Sequence, residues 1–162
     1  MPEIILLAHN IRSTHNIGAI FRTAEGFGVR KIILSGYTPY PILEKDSRLP
    51  HISEKLTSQI HKTALGAETI VPFEYQENLN FSSLRKDGYR IVGLEQDASS
   101  IMLPNYTSPQ KIALLLGEEV EGIDTDLRKE CDDLIEIPME GQKESFNVSV
   151  ATGIALYGLK FR

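Results

Sequence analysis

The feature that most constrains this chain is a series of short, almost wholly apolar runs. Residues 4–8 (IILLA), 31–34 (KIIL), 68–71 (ETIV), 90–94 (RIVGL), 111–116 (KIALLL) and 133–137 (DLIEI) read as strands. A strand with one wet face alternates apolar and polar residues, whereas a nearly continuous apolar run needs cover on both faces. Between the runs lie helix-like segments at 16–26, 53–65, 80–86 and 125–131, and a final helix from about 147 to 160. This alternation predicts an α/β fold, a mostly parallel sheet with helices on both faces. Ligands of such sheets sit beyond the carboxyl ends of the strands. A site is therefore expected in the segments after Leu94, Leu116 and Ile137. The 162 residues are expected to form one domain, 1–162, with no separate extension at either end. Two connections, 35–52 and 95–110, are long enough to carry function, and the second is expected to contain a short strand or turn.

Charge and cysteine usage narrow the function classes. The net charge of −5 argues against a generic polyanion binder, but the charge is unevenly spread. Residues 1–62 hold eight Lys/Arg against five Asp/Glu, and residues 63–162 hold nine against seventeen. A basic face built from Arg12, Arg22, Arg30, Lys31, Arg48, Lys55 and Lys62 is one reading, and a scattered solvated surface is the other. No apolar run approaches the roughly 18 residues of a membrane span. MPEIILLAHNIRS reads as a first strand and not as a signal peptide. The single cysteine, Cys131, excludes an internal disulfide and favours a cytoplasmic location, with the thiol serving as a small buried apolar group. His9, His15, His51 and His61 are dispersed and lack metal-ligand spacing with Cys131, so no metal site is expected. The usual dinucleotide, P-loop and nucleophile-elbow patterns are absent.

Three segments carry more than a fold. In STHNIGAIFRTAEGFGV (13–29), Thr14 or Asn16 can cap a helix whose apolar stripe is Ile17, Ile20, Phe21 and Ala24. Asn16 would lie at the helix mouth and Arg22 would project from its second turn. The plainer reading is an amphipathic helix with a surface arginine. In LLLGEEVEGI (114–123) a buried strand runs into Gly117, where the missing side chain admits a ligand or simply makes a turn. Glu118, Glu119 and Glu121 then form either part of a site or a solvated loop. In IPMEGQKESFNVSVATGIALYG (137–158), Ser145 and Asn147 both precede a helix, although a cap needs only one of them. The small residues Val148, Ala151, Thr152 and Ala155 let another helix approach closely. A cap followed by a packed core helix explains the same pattern without a ligand.

Taken together and in order, N-I-R-S-T-H-N-I-G-A-I-F-R-T-A, L-L-L-G-E-E-V-E-G-I and I-P-M-x-G-x-x-x-S-F-N-V-S-V-A-T-G-I resemble the three motifs of the SpoU/TrmH class of SPOUT RNA ribose 2′-O-methyltransferases. The resemblance covers essentially the whole chain. Phe146 stands where the pattern usually has Leu, apolar for apolar. The resemblance implies a deep C-terminal trefoil knot and S-adenosylmethionine as cofactor. It also implies a homodimer, with the helix after Asn16 and the last helix at the interface. RNA is the implied partner, either tRNA or rRNA, and no separate RNA-binding extension is expected. Neither a metal nor a membrane is implied.

By position in the motifs, Gly117, Ile137 and Phe146 match cofactor-binding points, with Leu94, Glu95 and Met139 bordering the same pocket. Arg22 matches the catalytic residue. A guanidinium is a poor base, so two roles compete: an unusual base assisted by an RNA phosphate, or a clamp on that phosphate and on the developing alkoxide. Asn16 would orient Arg22 or the ribose across the dimer interface. Glu118 would support the pocket, and Ser145 and Asn147 would hydrogen-bond near the nucleophile. Arg12 and Arg48, with Arg22, are the RNA-contact candidates. A non-catalytic RNA-binding or assembly factor with the same fold is the alternative from another class. Methylation of a base nitrogen is a weaker one.

Overall fold

A computed structural model describes residues 1–162. Seven strands form one sheet: β1 (Glu3–His9), β2 (Lys31–Ser35), β3 (Phe73–Gln76), β4 (Arg90–Leu94), β5 (Ile101–Met102), β6 (Lys111–Leu116) and β7 (Asp133–Glu136). Their order is β3-β2-β1-β6-β4-β7-β5, and every pairing is parallel. The helices are α1 (Thr14–Gly26), α2 (Pro50–Ala64), α3 (Phe81–Lys86), α4 (Thr125–Glu130) and α5 (Val148–Phe161).

The apolar runs are covered on both sides, as their composition demands. Ile4, Leu6 and Ala8 of β1 pack with Ile17, Ile20 and Phe21 of α1, Ile60 of α2, and Ala155 and Leu156 of α5. Ile5 and Leu7 face the other way, toward Phe81 and Leu84 of α3 and Ile123. Consecutive residues of one strand thus feed two separate cores, which is the period of two expected of a strand.

Two sequence-level boundaries move. Residues 68–71 are not a strand. Ala67–Thr69 is a 3-10 turn, and the strand begins after Pro72, at Phe73. The buried Glu68 carboxylate forms the turn by accepting from the Gly66 N–H at 2.9 Å and pairing with His61 Nδ1 at 2.5 Å. Such a carboxylate would be stranded in a ladder position, and Pro72 has no N–H to give one. The cap of α1 is Ser13, which accepts from the Asn16 N–H at 3.1 Å, and neither Thr14 nor Asn16 takes that role. The 95–110 connection contains the expected short strand, β5, followed by a 3-10 turn at Leu103–Asn105.

β6 enters between β1 and β4, and β7 between β4 and β5, so late strands slot between earlier ones. This brings the carboxyl ends of β4, β6 and β7 side by side. α1 and α5 lie together on one face, with Thr23 against Gly153 and the rings of Phe27 and Phe161 6.2 Å apart. No helix is long and apolar enough to cross a membrane.

Candidate functional site

The adjoining ends of β4, β6 and β7 enclose a cleft of about 240 Å³. Its walls are the segments after those three strands, residues 144–146, and the first turn of α5. Leu94, Glu95, Gly117, Glu118, Ile137, Met139, Ser145 and Phe146 all line it. The segments expected to hold a ligand therefore converge.

The loop after β6 is folded back on itself. Glu118 and Gly122 exchange backbone hydrogen bonds at 3.1 and 2.8 Å. A Cβ on Gly117 would lie 2.4 Å from the Ile123 nitrogen, so only glycine fits where the loop closes. Glu95 pins the loop from below. Its carboxylate accepts from the Ile123 N–H at 2.7 Å and from the Gln96 N–H at 2.9 Å. Arg128 holds the other side of Ile123, donating to its carbonyl at 2.7 Å and pairing with Asp97 at 3.2 Å. Glu95 thus shapes the pocket as a backbone anchor.

The three glutamates after Gly117 look alike in the sequence but differ in the fold. Glu118, the expected supporting residue, turns back and accepts from the Val120 and Glu121 N–H groups within its own loop, at 3.3 and 2.8 Å. Glu119 reaches across to the segment before α1 instead. Its carboxylate accepts from the Arg12 and Ser13 N–H groups, both at 3.2 Å, and from Asn16 Nδ2 at 3.3 Å. Burial acts to raise its pKa, but these donors and its own backbone N–H outweigh it, and the net shift is downward. Asn16 in turn accepts from Asn147 Nδ2 at 3.2 Å. Asn147 also caps α5, accepting from the Ser149 N–H at 2.9 Å. Ser145 makes no hydrogen bond within the chain and faces the cleft. Of the two polar residues before α5, Asn147 is both cap and link, and Ser145 is free.

Arg22 is not brought to the cleft. It stands exposed on α1 with no hydrogen bond or ion pair. Arg12 is also exposed and makes no ion pair, its guanidinium lying over the Tyr37 ring. The expectation for Arg48 needs correction. Its guanidinium is only 15% exposed, binds both oxygens of Asp46 at 2.6 and 2.9 Å, and donates to the carbonyls of Tyr40 and Pro41. With its donors taken and its charge matched, Arg48 clamps its own loop and is not a free phosphate contact. Hydrogen bonding from Arg48 holds Asp46 far below the usual carboxylate range.

The electrostatics of the cleft are one-sided. Six glutamates line it (95, 118, 119, 121, 136 and 144), with no lysine, arginine or histidine. Such a lining favours a cationic ligand and disfavours one carrying phosphates. Leu94, Leu116, Ile137, Met139 and Phe146 provide apolar surface for a flat ring.

Residues 3–157 match the model of the SpoU rRNA Methylase family. The chain belongs to that family. Among curated proteins it is 35% identical over 158 residues to the 23S rRNA (guanosine-2′-O-)-methyltransferase RlmB of Nitrosomonas europaea, covering 96% of this chain and 55% of that protein. The chain thus spans about half the length of the curated relatives it matches. Among solved structures, an rRNA methyltransferase from Sinorhizobium meliloti superposes with a TM-score of 0.79 at 25% identity, covering 98% of this chain and 55% of the other. The A. aeolicus TrmH/SpoU tRNA modifying enzyme gives 0.77 at 25%, covering 98% and 74%.

Proposed function

We propose that this protein is an S-adenosylmethionine-dependent RNA methyltransferase that methylates a ribose 2′-hydroxyl. The observation that carries the reading is the cleft. It has acidic walls, an apolar lining and a backbone that approaches closely at Gly117. That combination suits a ligand with a positive sulfonium, an ammonium and an uncharged adenine ring. When bound there, S-adenosylmethionine would supply an activated methyl group for transfer to the ribose oxygen, the carbon–sulfur electron pair staying with sulfur.

The chain's own work is positioning and charge control. Gly117 and the 136–139 segment would offer backbone groups to the cofactor, and Phe146, Leu94 and Met139 would give apolar surface for its adenine. Ser145 hydrogen-bonds at the reacting centre, and the Asn16–Asn147 pair fixes the edge where the ribose enters. An acidic cleft repels an RNA phosphate, so a cation must accompany the substrate. Arg22 fills that role from a second copy of the chain, clamping the phosphate and stabilising the alkoxide as the hydroxyl gives its proton to solvent water.

A homodimer is supported by an exposed apolar stripe on α5. Val150, Tyr157 and Phe161 are each at least half exposed, and with Ile154 they recur on one side of the helix. α1, bearing the unpartnered Arg22, packs alongside. The insertion of β6 and β7 between earlier strands supports a C-terminal trefoil knot. The single Cys131, which can form no internal disulfide, accords with the cytoplasm. The curated relatives point first to ribosomal RNA as substrate.

The test is transfer of a labelled methyl group from S-adenosylmethionine to RNA isolated from cells lacking the gene. Nuclease digestion should return the label as a 2′-O-methyl nucleoside. Label on a base would replace the ribose assignment. RNA binding without any transfer would leave the non-catalytic alternative in its place.

A further inference from the structure

Beside the acidic cleft, and separated from it by the strap of residues 10–16, lies a second, open recess of about 570 Å³. It is walled by the segments after β1 and β2, at the same sheet edge as the cleft. Tyr37 stands at its mouth, 51% exposed, with the guanidinium carbon of Arg12 5.4 Å from the ring centroid. His15 is exposed beside them. The side chains of Arg12, His15 and Tyr37 make no hydrogen bond within the chain.

The backbone holds this tyrosine out deliberately. Asn10, at φ +54°, accepts from the Tyr37 N–H at 3.0 Å. Gly36, at φ +64°, lies so close that a Cβ there would meet the Asn10 side-chain oxygen at 1.9 Å. Thr38 stitches the two loops together, accepting from the Ile11 N–H at 3.0 Å and donating to the Ala8 carbonyl at 3.1 Å. The floor is equally fixed: the Arg48 guanidinium lies 3.6 Å from the Tyr40 ring centroid, and Tyr40 stacks on Tyr75 at 4.2 Å. A rigid frame that exposes an aromatic ring, with a cation over one face and free of any ion pair, is suited to unstacked nucleotides, which bind through base stacking on the open face and phosphate neutralisation.

We propose that Tyr37 and Arg12 form a shelf for an unpaired nucleotide flanking the methylated one, the base stacking on Tyr37 and Arg12 meeting its phosphate. The inference rests on the RNA-methyltransferase reading above and adds where the RNA strand lies. Glu119 binds the backbone of Arg12 and Ser13, so the shelf is registered to the cleft through one side chain.

The experiment measures binding of a fluorescein-labelled oligoadenylate RNA by anisotropy, with S-adenosylhomocysteine affinity and thermal denaturation as controls. Tyr37→Ala should weaken RNA binding by roughly five- to tenfold, as loss of one stacked base does. Tyr37→Phe should bind like the wild type. Arg12→Ala should weaken binding and reduce the slope of log affinity against log salt by about 0.7, one single-strand phosphate contact. In steady-state methylation, Tyr37→Ala should raise the RNA KM and leave kcat near its wild-type value. Wild-type RNA affinity in Tyr37→Ala, or equal losses in Tyr37→Ala and Tyr37→Phe, would overturn the shelf. Tyr37-dependent RNA binding by a protein that transfers no methyl would preserve the shelf and remove the enzyme.

Discussion

Glu119 joins two segments that lie more than a hundred residues apart in the sequence, through the Arg12 and Ser13 N–H groups and the Asn16 amide. Removing it leaves two backbone donors without their partner, at the edge where the ribose is proposed to enter. Glu119→Ala is expected to lower stability by about 1 kcal/mol, because the site is partly wet. It should lower kcat more than the cofactor Kd, as separate turnover and calorimetric measurements would show. The effect depends on pH. Folding lowers the pKa of Glu119, so its stabilisation is complete above the ordinary value of 4.5 and is lost as pH falls through the folded value. The stability difference between wild type and Glu119→Gln should therefore shrink as pH falls below the ordinary carboxylate value of 4.5. The sequence shows three equivalent glutamates at 118, 119 and 121. Which one reaches across is decided by how the Gly117–Gly122 loop closes, a property no residue pattern displays. Ser145 and Asn147, by contrast, were legible as a pair with one member more than a cap requires.

At the scale of elements, the long apolar strands were readable because burial on both faces leaves a continuous run. β1, β4 and β6 lie where their composition places them. β3 was misread, since ETIV is as apolar as a strand, while the buried Glu68–His61 contact and Pro72 turn it into a 3-10 corner. The α1–α2 crossing was also unreadable, because it depends on Gly18. A Cβ there would sit 2.0 Å from Thr63 Oγ1, 2.3 Å from the Ile60 carbonyl and 2.9 Å from the Ala64 nitrogen. Two of those atoms are backbone and cannot rotate away. Gly18→Ala, which would favour an isolated helix, is instead expected to destabilise the protein by about 1–3 kcal/mol through overpacking. Chemical denaturation should show a lower midpoint with an unchanged slope. An unchanged midpoint would mean that the two helices can separate without loss.

At the scale of the molecule, the single chain leaves Arg22 exposed and away from the cleft. The proposed dimer makes a prediction that one chain cannot satisfy. Arg22→Ala and Ser145→Ala should each abolish methyl transfer while the arginine variant still binds cofactor. Mixing the two after dissociation should restore activity, because each mixed dimer has one site with both residues intact. No recovery in verified mixed dimers would place both residues in one protomer's site, or Arg22 outside it. By itself, the sequence determined the α/β class, the strands buried on both faces, the family and the three segments that meet at one sheet edge. These follow from local periodicity and short motifs, which are written in consecutive residues. Only the tertiary structure decided that Glu119 and not Glu118 ties the strap, that Arg48 serves its own loop, and that an acidic cleft lies beside a cationic shelf. Those depend on groups distant in the chain competing for the same few ångströms, and that competition is settled only when the backbone has closed around them.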